Sequence, residues 1–397
     1  MKNRRKVLFI SNGFPSHDNK WKCPFNERAV EAIEIRNDVD VFTVRAFRPW
    51  KFERLYKYRN RNISLLYILH LNWKYFLSKS LILKLIIFFT EAQLRCKVKS
   101  VDLVHAVGIG IHSFAAYQFA KRIRKPFLLQ LIGGDTMMLS KEDVCSNNFP
   151  FRSLISSEVF ANSQSLAVHF SKLMNYDVLV RTIYRGVNLD NFRFDRNAIR
   201  ADSKMRFLYL GGYIQKEYWK RGKDVKGGFL LLKAWKYCDS VDLKNAELIV
   251  GGPYVNEIGL QEFSKSLTHR NSIRYIGHVD SAEVPTLLNY VDVLVIPSLS
   301  EGLPNILLEA MAAEKLVVCF DVGGIKEIVQ DAINGFILPP LDYVAFGKKI
   351  IEILKLPIEA RNSIGLNAKE TIAKNFNSKN YGASVEEVYE TLCKYST

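Results

Sequence analysis

The sequence predicts an α/β protein of two domains, each built on a parallel sheet. Three observations lead there. The chain has 397 residues, more than one ordinary core takes up, and suits two domains of about 190 residues each. Short apolar runs alternate with helix-period stretches in both halves, the pattern of strands joined by crossover helices. Near the middle, residues 189–204 (LDNFRFDRNAIRADSK) are polar, charged and without sustained periodicity. They are read as a linker between a domain at 1–188 and another at 205–376, with 377–397 as a final helix and a ligand cleft expected between the domains.

In the first half the strands are KVLFIS (6–11), VDVFTV (39–44), DLVHAV (102–107) and PFLLQLI (126–132). In the second they are MRFLYLGG (205–212), AELIVGG (246–252), IRYIG (273–277), VDVLVIP (291–297) and LVVCF (316–320). After the first strand the chain turns at Ser11-Asn12-Gly13, where Gly13 suits a close backbone approach. The basic start MKNRRK is followed by only four strongly apolar residues, which reads as a first strand and not as an export signal. The cysteines (Cys23, Cys96, Cys145, Cys238, Cys319, Cys393) show no paired spacing, so neither a zinc site nor a disulfide framework is expected, and a reducing cytoplasm is. His105 falls at the end of a strand and reads as a satisfied polar residue.

Charge is the chain's oddest property. The formal net charge is +16, and residues 44–99 carry thirteen Lys and Arg against Glu53 and Glu91, about +11 by subtraction. Aromatic and aliphatic residues lie between the charges, as in WKFERLYKYRNR (50–61) and NWKYFLSKSLILKLIIFF (72–89). The stretch matches no nucleic-acid recognition module, and its apolar run is far below the roughly 20 residues of a spanning helix. It fits a helix in the membrane interface, with Trp73, Tyr75 and Phe76 at headgroup level. The expectation is peripheral binding to an anionic membrane surface on the cytoplasmic side, with no nucleic-acid partner. A buried helix with a solvated basic face is the plainer alternative.

The densest chemistry lies in SLSEGLPNILLEAMAAEKLVVCFDVGGIKEIVQDAINGFILPP, residues 298–340. Glu301 and Glu309 are separated by seven residues, and Gly302 and Pro304 mark a loop turning into a helix that opens at Pro304 or Asn305. The amides at such a start, including that of Asn305, have no intrahelical acceptor and offer donors and a positive dipole end to a phosphate. Glu301 sits on the loop, and Glu309 looks back along the helix, because helical side chains tilt toward the N-terminus. One carboxylate can hold a ribose and the other a sugar, with a diphosphate between them. The loop lies beyond a strand's carboxyl end, where open α/β sheets bind ligands, and Gly323-Gly324 after the next strand suits close approach to that ligand. Asp38-Val39-Asp40 matches the DxD element of metal-dependent transferases, but it opens a strand and no metal is expected.

These residues resemble the retaining glycosyltransferases of the GT-B fold, specifically family four. The resemblance runs through the paired glutamates, GGIKEIV, INGFILPP, LIVGGP (248–253) and IRYIGHV (273–279), with fainter echoes in IGGD (132–135), FANSQSL (160–166) and RGVNLDNF (185–192). It implies two Rossmann-like domains facing across a cleft, and transfer of a sugar from a nucleotide diphosphate sugar, UDP- or GDP-linked, to a glycan or lipid-linked acceptor without a cofactor. It places Glu309 on the ribose and Glu301 on the sugar, with Gly302, Leu303, Pro304 and Asn305 around sugar and phosphates. Lys226 is assigned to the departing diphosphate, and Asp135 to the acceptor side. It also implies cell-surface polysaccharide synthesis and a final helix crossing back to the first domain. Two departures stand out: Gly212 or Tyr213 occupies the family's Arg position, leaving Lys216, Lys220, Arg221 and Lys223 as substitutes, and Ile132 replaces a His before Gly133-Gly134-Asp135. The rival readings are a nucleotide-sugar epimerase or hydrolase on the same fold, and a non-enzymatic basic binder.

Overall fold

The computed structural model describes residues 4–16, 23–47, 53–68, 80–133, 136–137, 139, 157–175, 178–192, 203–212, 214, 224–253 and 255–395. The chain divides into two compact units, Met1–Arg185 with Ser378–Thr397, and Gly186–Asn377.

The first unit holds strands β1 (Arg5–Ser11), β2 (Asn37–Ala46), β3 (Leu55–Tyr58), β4 (Arg61–Ile68), β5 (Leu103–Val107), β6 (Phe127–Leu131), β7 (Glu158–Ala161) and β8 (Val180–Thr182), in the order β3-β4-β2-β1-β5-β6-β7-β8. Neighbours run parallel except for β3 on β4. Alternate residues serve opposite faces. Leu8, Ile10, Val104, Ala106 and Leu129 pack under α2 (Ser80–Lys97), α3 (Ile111–Arg122) and α4 (Gln164–Leu173). Val7, Phe9, Leu103 and Leu128 pack under α1 (Pro24–Glu34) and the C-terminal α11 (Ser378–Lys394). Polar contacts reinforce the seating of α11, since the Glu386 carboxylate accepts from Arg5 at 2.8 Å and from Asn37 at 2.7 Å.

His105 lies in the middle of β5 and not at its end, with Nδ1 2.7 Å from the Tyr389 hydroxyl. Burial, only partly offset by the Gln130 side chain, pushes its pKa down to about 3.

The reading of residues 44–99 as one membrane-facing region needs correction. The end of β2 and the β3–β4 hairpin fall within it, and Tyr58, Ile63, Leu65 and Leu66 are buried in the core. Its arginines meet acids: Arg45 pairs with Glu53 (2.8 Å), Arg59 with Glu27 (3.0 Å) and Arg61 with Glu34. Sequence counting missed this because two of those acids, Glu27 and Glu34, lie on α1, outside the window.

The second unit holds β9 (Met205–Tyr209), β10 (Ala246–Val250), β11 (Ile273–Tyr275), β12 (Val293–Ile296), β13 (Leu316–Phe320) and β14 (Phe336–Leu338), with helices α5 (Gly228–Asp239), α6 (Glu257–Lys265), α7 (Val284–Tyr290), α8 (Asn305–Ala312), α9 (Tyr343–Lys355) and α10 (Ile358–Asn375). The sheet is parallel throughout, in the order β11-β10-β9-β12-β13-β14. The chain winds outward from β9 to β11 and then returns to lay β12 on β9's other side. That reversal opens a crevice at the carboxyl ends of β9 and β12, where ligands of doubly wound sheets bind.

The boundary falls between Arg185 and Gly186, not at 188. Residues 189–192, read as the start of a linker, form a short 3-10 turn with Phe192 buried, and the preceding Val187 amide donates to the Phe376 carbonyl at 2.9 Å. Residues 193–202 lie outside the described residues.

Candidate functional site

Three strand ends build the site. From β9 the chain reaches a turn at 224–227 that starts α5. The Asp224 carboxylate accepts from the amides of Gly228 (3.1 Å) and Phe229 (3.0 Å), capping the helix from four residues before its first residue. Burial raises the Asp224 pKa, with those amides opposing it. Gly227 has φ +69°, and a Cβ there would lie 1.7 Å from the Pro297 carbonyl oxygen, so only glycine lets this turn seat against the β12 exit. The Leu299 amide adds a hydrogen bond to the Val225 carbonyl at 2.8 Å.

Lys226 thereby reaches the second strand end. Its Nζ lies 2.7 Å from Glu301 Oε1, with the Lys226 side chain 35% exposed and that of Glu301 only 11%. Beneath the pair, the Tyr209 hydroxyl donates to the Gly212 carbonyl at 2.9 Å. Burial holds its pKa well above the ordinary 10, and Asp224 and Glu301 add to that, so the proton stays on the phenol.

Helix α8 begins at Asn305, and Pro304 is its cap residue, with ψ 123°, not its first helical residue. The amides of Asn305, Ile306 and Leu307 have no acceptor within the helix. Leu303 is buried, and Glu309, fifth in the helix, is 4% exposed. A glutamate so enclosed is uncommon on a helix whose only task is packing.

The third strand end braces the loop at the second. Gly323 has φ +55°, and a Cβ would lie 1.8 Å from the Glu301 carbonyl oxygen; the Gly324 amide donates to the Gly302 carbonyl at 2.8 Å. What the glycine pair approaches closely is the Glu301-Gly302 backbone. It clamps the loop that carries the carboxylate, because a side chain there would collide with main-chain oxygen.

Of the residues singled out in the sequence, Lys226, Glu301, Gly302, Leu303, Pro304, Asn305 and Glu309 come together at this edge of the second unit. Gly13 lies in the first unit after β1, buried, its carbonyl accepting from Ser11 Oγ (2.8 Å) and Asn26 Nδ2 (2.6 Å). Asp135, Tyr213, Lys216, Lys220, Arg221 and Lys223 lie outside the described residues. Asp38 of the DxD triplet pairs with Arg4 at 2.9 Å. The sequence reading missed Tyr209 and Asp224. For Asp224 a signal existed, since an acid in the Asp-Val-Lys-Gly-Gly stretch that leads into a helical pattern marks a cap.

Residues 218–371 match the profile of the family described as Glycosyl transferases group 1. The second unit therefore carries a stretch similar to this family's domain. An uncharacterized glycosyltransferase of Methanocaldococcus jannaschii is 25% identical over 295 residues, 74% of this chain and 76% of the relative. The capsular polysaccharide biosynthesis glycosyltransferase CapM of Staphylococcus aureus is 27% identical over 212 residues, 53% of this chain and 54% of its own. Among solved structures, Anabaena HepE in complex with UDP-glucose superposes with a TM-score of 0.72 at 16% identity, covering 98% of this chain and 100% of that one. The two parallel-sheet units are those of the GT-B architecture, and the second unit carries its best-conditioned chemistry at the β9–β12 switch point. Among the described residues no helix is long and apolar enough to cross a membrane.

Proposed function

We propose that this protein is a glycosyltransferase that moves a sugar from a nucleoside diphosphate sugar to an acceptor hydroxyl with retention at the anomeric carbon, in the assembly of a cell-surface polysaccharide. The observation that carries the reading is the Lys226–Glu301 pair at the mouth of α8, 2.7 Å across the switch point. A lysine ammonium has three protons; one is held by Glu301, and two are left for phosphate oxygens. The open amides of α8 supply further donors and the positive end of the helix dipole. This constellation neutralises a departing diphosphate without a divalent ion. HepE, whose complex holds UDP-glucose, supports a nucleotide-sugar donor, UDP- or GDP-linked, and CapM's role in capsular polysaccharide supports the product class.

Glu309 then holds the ribose hydroxyls and Glu301 those of the donor sugar, while Gly302 to Asn305 shape the wall around them. Asp135 is assigned to the acceptor side, and Gly13 to a loop that closes over the acceptor and the donor phosphates. In the step itself the bond from the anomeric carbon to the β-phosphate oxygen breaks as the acceptor oxygen bonds to that carbon from the same face. The acceptor proton passes to the leaving phosphate oxygen, and no side chain forms a covalent intermediate. Negative charge grows on the diphosphate, and preorganised donors aimed at it stabilise the transition state more than the ground state.

Thermal unfolding in EDTA against UDP, GDP, ADP, CMP and dTDP and their sugars tests this. At a hundredfold excess over Kd a ligand adds about 2.7 kcal/mol of stability. Wild type is expected to melt several degrees higher with one nucleotide, and Glu309→Ala to fold but not respond. Wild-type turnover by Glu309→Ala would end the assignment.

A further inference from the structure

Helix α2 buries one face and leaves the other apolar. Ile86, Ile87, Thr90, Glu91 and Leu94 face the core, whereas Leu85, Phe88 and Phe89 are 46%, 50% and 57% exposed. Their spacing puts these three on one stripe opposite the core. A helix apolar all round is ordinarily buried, and contiguous exposed apolar side chains mark a binding surface. Beside the stripe lies an open cavity of about 620 Å³, with Ile87, Phe88 and Phe114 among its lining and Lys84, Lys121 and Arg122 at its rim. Arg95 and Arg122 both contact the single carboxylate of Glu91 at 3.1 Å, so that acid offsets only one of the two charges. The rim is therefore cationic.

We propose that the α2–α3 face of the first unit docks on the surface of a bilayer containing anionic lipid. Leu85, Phe88 and Phe89 enter the acyl boundary, Lys84, Lys121 and Arg122 meet lipid phosphates, and the adjoining cavity receives part of one acyl chain. The charge pattern selects this occupant. Lysine is depleted where proteins bind proteins but favoured beside anionic headgroups, and a second copy placed on a two-fold axis would set the same cationic rim against itself. The contact needs only this surface chemistry and stands apart from the reaction proposed above. Its consequence for that reaction is that a lipid-linked acceptor would be met at the membrane.

Flotation of the full chain with vesicles of phosphatidylcholine alone, or mixed equally with phosphatidylglycerol, tests the proposal. The protein is expected to float with the anionic vesicles only. Each basic residue near such a surface contributes about 1 kcal/mol, so Lys84→Glu/Lys121→Glu is expected to weaken binding by more than about tenfold, as is Phe88→Ser/Phe89→Ser. Both double variants change exposed side chains and are expected to melt as wild type does, while Glu309→Ala is expected to float unchanged, which separates failure of docking from failure of the catalytic reading. Wild type that stays with neither vesicle, or a serine variant that floats like wild type, overturns the proposal. So does a dimer in light scattering that the serine pair dissociates, since the face would then join copies of the chain.

Discussion

Replacing Lys226 by methionine keeps most of the side chain's length and removes its charge, with separable effects on stability and turnover. The pair it breaks spans 2.7 Å, with Glu301 11% and Lys226 35% exposed. Exposed pairs contribute about 0.2–1 kcal/mol, and breaking a fully buried one costs about 3–5. This pair lies between those limits, so Lys226→Met is expected to cost about 1–2 kcal/mol, mostly through the uncompensated Glu301. Losing the cation that meets the departing diphosphate is expected to lower kcat by about 10²–10³, or ~2.7–4 kcal/mol. Adding Glu301→Gln removes the stranded charge and should return stability to within about 0.5 kcal/mol of wild type, while turnover stays low. Urea denaturation and donor turnover, measured on both single variants and the double, give the two readouts. Turnover of Lys226→Met within about threefold of wild type, less than 1 kcal/mol in barrier, would refute the assignment. Parallel recovery of stability and turnover in the double variant would do so too, because Lys226 would then be only a strut for the Glu301 loop.

Two further outcomes follow from the same geometry. Gly323→Ala meets a left-handed backbone and the Glu301 carbonyl oxygen at 1.8 Å, whereas Gly277→Ala, at φ +73°, meets nothing within 4 Å. Gly277→Ala is expected to cost the conformational term of about 1–2 kcal/mol alone, and Gly323→Ala to cost more and to abolish donor binding; equal Tm losses would contradict the clamp. His105 has its pKa lowered from 6.5 to about 3 by burial, so between those values the unfolded chain takes up a proton that the folded chain refuses. Its contribution is complete above pH 6.5 and is lost as pH falls, by about 1.4 kcal/mol per unit. His105→Asn is expected to remove about 2 kcal/mol of the stability difference between pH 7 and pH 5, and an unchanged slope in denaturation would show that the imidazole does not stay neutral. His112, lowered to about 4 by burial against its bonds to backbone carbonyls, adds a slope of the same sign.

The sequence by itself determined the strands that are apolar on both faces and the carboxylates around one helix start. Both are local: β1, β5, β9, β12 and β13 announce themselves because a strand covered on both sides has no polar positions to spare, and Pro304-Asn305 sets α8's beginning within its own residues. The β3–β4 hairpin was not legible, because its basic residues look solvated until α1 brings Glu27 and Glu34 against Arg59 and Arg61. Tertiary structure alone decided which groups meet. Glu301 finds Lys226 75 residues away, and His105 finds Tyr389 284 residues away. Gly323 turned out to sit against the main-chain oxygen of Glu301. Side-chain periods report which face is buried, but a partner across the fold leaves no mark on the residues beside it, since the contact is made by sheet order and strand register and not by neighbours in the chain.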